Sequence, residues 1–97
     1  MRYWLHPGAE TDLRDAAKFY RERADKNLSQ SLLAEFERSV DVLLQHPVLG
    51  ALWRNEKRRL IMKRFPYSLI YTVVGEQIRI LAVAHNSRHP DYWRNRR

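Results

Sequence analysis

A chain of 97 residues with 44% hydrophobic and 30% charged side chains is sized for one globular domain with a modest core, neither disordered nor large enough for two. The absence of cysteine excludes a disulfide framework and thiolate zinc ligation and fits a reducing, cytoplasmic setting. No apolar run approaches the roughly 18–20 residues of a membrane span, and Met1 leads into charged, amphipathic sequence rather than a signal peptide. The formal charge of +7 lies in one half: residues 1–50 hold 7 Lys/Arg against 8 Asp/Glu, residues 51–97 hold 11 against 3. The second half therefore favours acidic partners such as nucleic acid, an acidic protein or a membrane face, or else is a solvated surface that keeps the chain soluble.

Residues 2–6, Arg-Tyr-Trp-Leu-His, alternate weakly and are aromatic-rich, which reads as a strand. Pro7-Gly8 ends it, and Pro7 suits the opening turn of a helix. That helix is predicted over 8–24, with Ala9, Leu13, Ala16, Ala17, Tyr20 and Ala24 on one face. Glu10, Asp12 and Asp15 lie toward the positive end of its dipole, and Arg21 and Arg23 toward the negative end. Asp25-Lys26-Asn27 is a polar break, with Asn27 as a cap and Gln30 three residues on. A second helix is predicted over 28–46, its stripe made of Leu32, Leu33, Phe36, Val40, Leu43 and Leu44. So short a break joins the two helices as an antiparallel hairpin, and both stripes need a sheet to cover them. His46-Pro47 stops the second helix. Residues 47–57 read as a loop pinned to the core by Val48, Leu49, Leu52 and Trp53.

Three strand-length runs follow: Leu60-Ile61-Met62, Leu69 to Val74, and Ile78 to Ala84. Gly75-Glu76 between the last two is a Gly-X hairpin loop in which glycine supplies a positive φ. Pro66, with no amide donor, breaks the ladder between the first two. The reading is an α+β domain spanning residues 1–97 in the order β-α-α-β-β-β. It has an antiparallel sheet, the helical hairpin on one face and an open, wet second face.

Three constellations carry candidate chemistry. Arg54, Lys57, Arg58, Arg59, Lys63 and Arg64 crowd the first run. Alternation puts Arg59, Ile61 and Lys63 on one face and Arg58, Leu60, Met62 and Arg64 on the other. Cations at two-residue spacing suit phosphates or carboxylates, or guard an edge strand against aggregation. At the exit of the last run stand His85, Asn86, Arg88 and His89. By alternation His85 shares a face with Arg79, Leu81 and Val83. A histidine three residues from an arginine pairs an acid or base with a phosphate clamp; the same histidine also serves by bonding nearby backbone and holding the strand end. Tyr92 and Trp93, in the basic tail with Arg94, are candidate contact residues, while Tyr71 reads as core. His85 and His89 would need a helix to ligate a metal together, and Pro90 argues against one. No P-loop, GxSxG, HExxH or EF-hand pattern is present, and no cofactor is implied.

Taken together, Asp12-Leu13, Ala16 and Phe19-Tyr20, then Phe36, His46-Pro47 and Gly50, then Arg64-Phe65-Pro66-Tyr67 and Ile70-Tyr71 form a pattern that ends in Ala82-Val83-Ala84-His85, Arg88, Pro90 and Tyr92-Trp93. This pattern resembles the RelE/ParE superfamily of bacterial toxin–antitoxin toxins, in its ParE-like, plasmid-stabilisation branch. The resemblance implies a β-α-α-β-β-β fold and a toxin neutralised by a cognate antitoxin in a hetero-oligomer, without a cofactor or membrane. Two mechanisms occur in the superfamily. ParE-like members poison DNA gyrase, whereas RelE-like members cleave ribosome-bound mRNA with basic residues and a tyrosine or histidine, without metal. The expectation is a gyrase inhibitor that is not an enzyme, contacting target or antitoxin through Arg58, Arg59, Lys63, Trp93 and Arg94. The alternatives are a ribosome-dependent endonuclease using His85, Arg88, Tyr92 and Arg64, or a non-toxic nucleic-acid-binding module.

Overall fold

Residues 1–54 and 56–97 are described by a computed structural model; Asn55, inside the expected loop, lies outside them. The chain forms β1 (Arg2–Leu5), α1 (Pro7–Arg23), α2 (Lys26–Gln45), β2 (Ala51–Trp53), β3 (Lys57–Ile61), β4 (Tyr67–Val74) and β5 (Gln77–His85), then a 3-10 turn at Pro90–Tyr92. No helix among the described residues is long and apolar enough to cross a membrane.

Each helix begins where a side chain satisfies its free amides. His6 caps α1, its Nδ1 accepting from the Gly8 amide at 2.8 Å, with Pro7 in the first turn. Asp25, not Asn27, caps α2: its Oδ1 accepts from the Leu28 amide at 2.7 Å. Asn27 is already inside the helix, which opens at Lys26. The Ser29 hydroxyl donates to the Ala17 carbonyl at 2.8 Å and ties the two helices together. Ala9, Ala16 and Ala17 of α1 and Leu32, Phe36, Val40 and Leu43 of α2 are buried. Leu33 is 39% exposed, contrary to the predicted stripe. Position 33 lies about 65° from the centre of a stripe through 32, 36, 40 and 43, beyond its outermost member.

The five strands form one sheet in the order β1-β5-β4-β3-β2. The sheet is mixed, not antiparallel throughout: β1 runs parallel to β5, with Arg2 opposite Gln77 and Leu5 opposite Ile80. Whether two strands so far apart in sequence run alike depends on the path of the helices between them, which local alternation does not encode. The stretch expected to be loop contains β2, paired antiparallel with β3 from Ala51↔Arg59 to Trp53↔Lys57. At the β4–β5 hairpin Val74 pairs with Gln77, and Gly75 adopts φ +59, a conformation a side chain would strain.

One irregularity sets the faces of β5. Ile70 pairs with Ala82 but Tyr71 with Ile80, so Leu81 is an extra, bulged residue. Ile78, Ile80 and Val83 consequently all join the core under the helices, together with Leu69, Tyr71, Met62 and Phe65. Arg79 faces the opposite side, so it does not share a face with His85 as alternation predicted. The second face is not left open. Trp93 packs there on Ile70, Ala82 and Ala84, flanked by Trp53 and Tyr92, and the C-terminal segment divides that face into separate clefts.

Candidate functional site

Two small clefts meet at the C-terminal end of β5. One, of about 180 Å³ on the sheet face opposite the helices, is lined by Trp53, Arg59, Ser68, Asn86, Arg88 and Trp93 among others. Ser68 is buried and donates to Asn86 Oδ1 at 2.6 Å, while Arg59 donates through Nε to Ser68 Oγ at 3.1 Å and through Nη2 to Asn86 Oδ1 at 3.4 Å. The Arg59 guanidinium also lies 5.6 Å from the Trp53 ring centroid. Its charge meets no carboxylate in this network, which suits an anionic partner. The other cleft, of about 150 Å³ beside α1, brings His85, Arg88 and Tyr92 together with Tyr67, Asp12 and Asp15.

Within this second cleft the three residues are held by their neighbours. His85 Nδ1 accepts from the Ser87 amide at 3.1 Å and lies 2.8 Å from the Ser87 hydroxyl. A neutral ring with Nδ1 accepting carries its proton on Nε2, so it presents a donor outward. The ring stands edge-on to Tyr67, centroids 5.1 Å apart. The Arg88 guanidinium lies 3.6 Å from the Tyr92 ring centroid, and Arg96 lies 5.1 Å from it. Burial first, and then the Asp12 carboxylate nearby, push the Tyr92 phenol up to about 12 despite those two cations.

Arg64, the fourth residue of the candidate set, lines neither cleft. It sits on the turn between β3 and β4, where its amide donates to Glu35 Oε2 at 2.9 Å and its guanidinium lies 5.9 Å from the Phe65 ring centroid. Arg58 turns toward the helical side and donates from Nη1 to the carbonyls of Gly50 at 2.9 Å and Val48 at 3.2 Å. Lys63 does not share a surface with Arg59: it lies beyond the end of β3, where alternation no longer applies. It borders an apolar groove between α2 and β3 lined by Val42, Leu49, Leu60 and Ile61. Trp93, expected as a contact residue, is 4% exposed and is part of the second core. Arg94 is exposed, 3.4 Å from Asp91.

Sequence reasoning passed over Arg96, and gave Asp12 only a place at the helix dipole and in the family pattern. Arg96 Nη1 donates to Asp12 Oδ2 at 2.8 Å and to the carbonyl of the bulged Leu81 at 3.1 Å, and Asp12 Oδ2 also accepts from the Val83 amide at 3.1 Å. The two side chains are only 8% and 18% exposed. Gly8 makes room for the guanidinium: a Cβ there would stand 2.5 Å from Arg96 Cζ. This lock joins α1, the β5 bulge and the C-terminal segment, and so positions Tyr92 and Arg88. One signal was available in the sequence. Asp12 falls three residues after Ala9 and four before Ala16, an acid on the buried stripe of a helix, which calls for a buried partner.

A family model described as "ParE toxin of type II toxin-antitoxin system, parDE" matches residues 3–90. A solved structure titled "Chromosomal ParDE TA system from P. aeruginosa" superposes with a TM-score of 0.78 at 20% identity, covering 88% of this chain and 95% of that one. At that identity the likeness is one of fold. No curated protein matches the chain by sequence.

Proposed function

The chain belongs to the ParE toxin family of type II toxin–antitoxin systems, and from that membership we propose that it arrests growth by binding and poisoning DNA gyrase, without catalysing a reaction, until a cognate antitoxin neutralises it. The observation that carries this reading is the family match over residues 3–90, and the surroundings of Tyr92 accord with it. A general acid or base works best with a pKa near the operating pH, and this phenol is driven to about 12. Of the other members of a metal-free nuclease set, Arg88 stacks on Tyr92 and Arg64 lines neither cleft, while His85 engages only its Nδ1, with Ser87. What the end of β5 offers instead is a fixed, cationic, aromatic surface, suited to binding.

The antitoxin is proposed to seat an amphipathic segment in the groove between α2 and β3. Val42, Leu49 and Ile61 are exposed there, and Arg38 and Lys63 stand at its border with Glu35. Apolar anchors of this kind hold a folded-on-contact segment, and the bordering cations steer an acidic one.

Purified protein incubated with gyrase and supercoiled plasmid is expected to accumulate cleaved-DNA complexes, and translating ribosomes are expected to keep their mRNA intact. Cleavage of ribosome-bound mRNA with no effect on gyrase would replace this reading with the endonuclease one. No growth arrest on induced expression would remove both.

A further inference from the structure

We propose that the cleft at the opposite end of the sheet face away from the helices, where β3 and β5 begin and β4 ends, binds the phosphodiester backbone of a nucleic acid. It is distinct from the two clefts around His85. Its volume is about 350 Å³, and Lys57, Arg79, Arg94, Arg96 and Arg97 line it with Thr72 and Asn95, whereas no acidic side chain among the described residues does.

The five cations are not equally free. Arg96 is held by Asp12 at 2.8 Å, and Arg94 leans on Asp91 at 3.4 Å. Lys57 donates its ammonium to the Arg94 carbonyl at 2.8 Å, which positions the charge without cancelling it. Arg79 is the centre of the site. Its guanidinium lies 4.4 Å from the Trp4 ring centroid, and its buried Nε has no hydrogen-bond acceptor among the described residues. Stacking on an indole fixes the plane of a guanidinium while leaving its in-plane N–H groups unsatisfied. A buried donor without an acceptor is a standing cost in the free protein, and an oxyanion beside Arg79 compensates its charge.

The lining decides between a nucleic acid and an acidic protein. Protein partners are held by apolar anchors in desolvated pockets, and among the described residues this cleft offers only Val74 and Leu81. The α2–β3 groove has the opposite character, with Val42, Leu49, Leu60, Ile61 and Met62. Backbone phosphates need cations and hydrogen-bond donors and little else. The cleft supplies arginine forks, an ammonium, a hydroxyl and an amide. The inference does not rest on the gyrase reading, since a phosphodiester contact serves a toxin at a DNA-bound enzyme or at an RNA-bound one.

The test is fluorescence anisotropy with a short labelled DNA duplex and a labelled RNA of similar length, each titrated at several salt concentrations. The wild type is compared with Lys57→Ala/Arg79→Ala, with Arg97→Ala, and with Arg23→Ala on the far side of α1 as a control. The double variant is expected to bind about tenfold more weakly at fixed salt. Its plot of log affinity against log salt should be shallower by about 2, from a slope of roughly 0.9 per neutralised phosphate. Arg97→Ala, at an exposed position outside both cores, should lose a smaller part of both and decides the matter if circular dichroism shows the double variant unfolded. The control should match the wild type. The arm with the stronger binding names DNA or RNA as the source of the backbone. The proposal is overturned if the cleft variants and the control are indistinguishable. Polyglutamate of matched charge displacing the nucleic acid at equal concentration also overturns it, because the cleft is then a surface for acidic protein.

Discussion

Removing the Asp12 carboxylate should unlock the C-terminal segment. Asp12→Ala leaves Arg96 beside Gly8 with only the Leu81 carbonyl at 3.1 Å, and deprives the Val83 amide of its acceptor. Breaking a buried ion pair by deleting one partner costs about 3–5 kcal/mol. Arg96 keeps one hydrogen bond and some contact with water, so the lower end applies, at about 3 kcal/mol. For a domain of this size each kcal/mol moves the melting temperature by roughly 4–8 °C, so the shift is about 12–24 °C. Urea unfolding followed by circular dichroism reads the change, and an unchanged m-value assigns it to stability rather than to a different unfolded state. The cycle with Arg96→Ala is the sharper measurement. Coupled partners should give a double variant that is less destabilised than the sum of the singles by at least about 1 kcal/mol. An Asp12→Ala variant within about 0.5 kcal/mol of wild type, or strictly additive singles, would refute the lock.

The Tyr92 phenol, at about 12 when folded and about 10 when unfolded, favours the native state fully below pH 10 and loses that contribution as pH rises to 12. Discounted for solvent screening at this half-buried phenol, the loss is about 1–2 kcal/mol, and Tyr92→Phe should remove this part of the alkaline decline in urea midpoints; identical declines would contradict the assignment. Phe36→Asp buries an unpaired charge and should abolish cooperative unfolding, whereas Leu33→Asp, at an exposed position, should change stability by less than about 1 kcal/mol. Thermal melts of the two decide whether the stripe of α2 has been placed correctly. At Gly50 a Cβ would stand 2.7 Å from Tyr71 Oη and 3.0 Å from the Arg59 carbonyl oxygen, so Gly50→Ala should cost about 1–3 kcal/mol. The small gain usual for Gly→Ala at an unstrained site would show that the loop yields instead. If the antitoxin seats between α2 and β3, Lys63→Ala should slow association and flatten its salt dependence, while Arg59→Ala should leave both unchanged. Stopped-flow binding at two ionic strengths measures this, and equal effects would move the seat to the sheet face.

Periodicity and turn chemistry made most of the local structure legible. Alternation marked β4 and β5 but only the end of β3, which begins at Lys57 inside the expected loop; Gly75 marked the tightest turn, and the alanine and leucine stripes marked both helices to within two residues at each end. What stayed hidden was set by distant partners. β2 is three residues long and exists because β3 lies beside it. The bulge at Leu81 reverses the side on which everything before it points, so the grouping of His85 with Arg79 failed although the alternation itself was read correctly. Trp93 reads as an exposed residue in a basic tail until Ile70, Ala82 and Ala84 are seen beneath it. Of the candidate set, His85, Arg88 and Tyr92 could be grouped because they are close in sequence. The Asp12–Arg96 pair that holds them spans nearly the whole chain, and no local window contains both.

The pairing of β1 with β5 has a consequence for the order of events during synthesis. Arg2 meets Gln77 and Asp12 meets Arg96, so residues made early wait for partners made far later before either is paired. Until β4 and β5 have emerged, α1 and α2 have no sheet to cover Leu32, Phe36, Val40 and Leu43. Such nonlocal closure comes late and slowly, after its loop entropy has been overcome. A nascent chain is therefore a pair of helices with an uncovered apolar face, and the Arg88–Tyr92 surface is assembled only after Arg96 leaves the ribosome. In the interval between, the apolar groups of α1 and α2 stay exposed before the surface they support is finished.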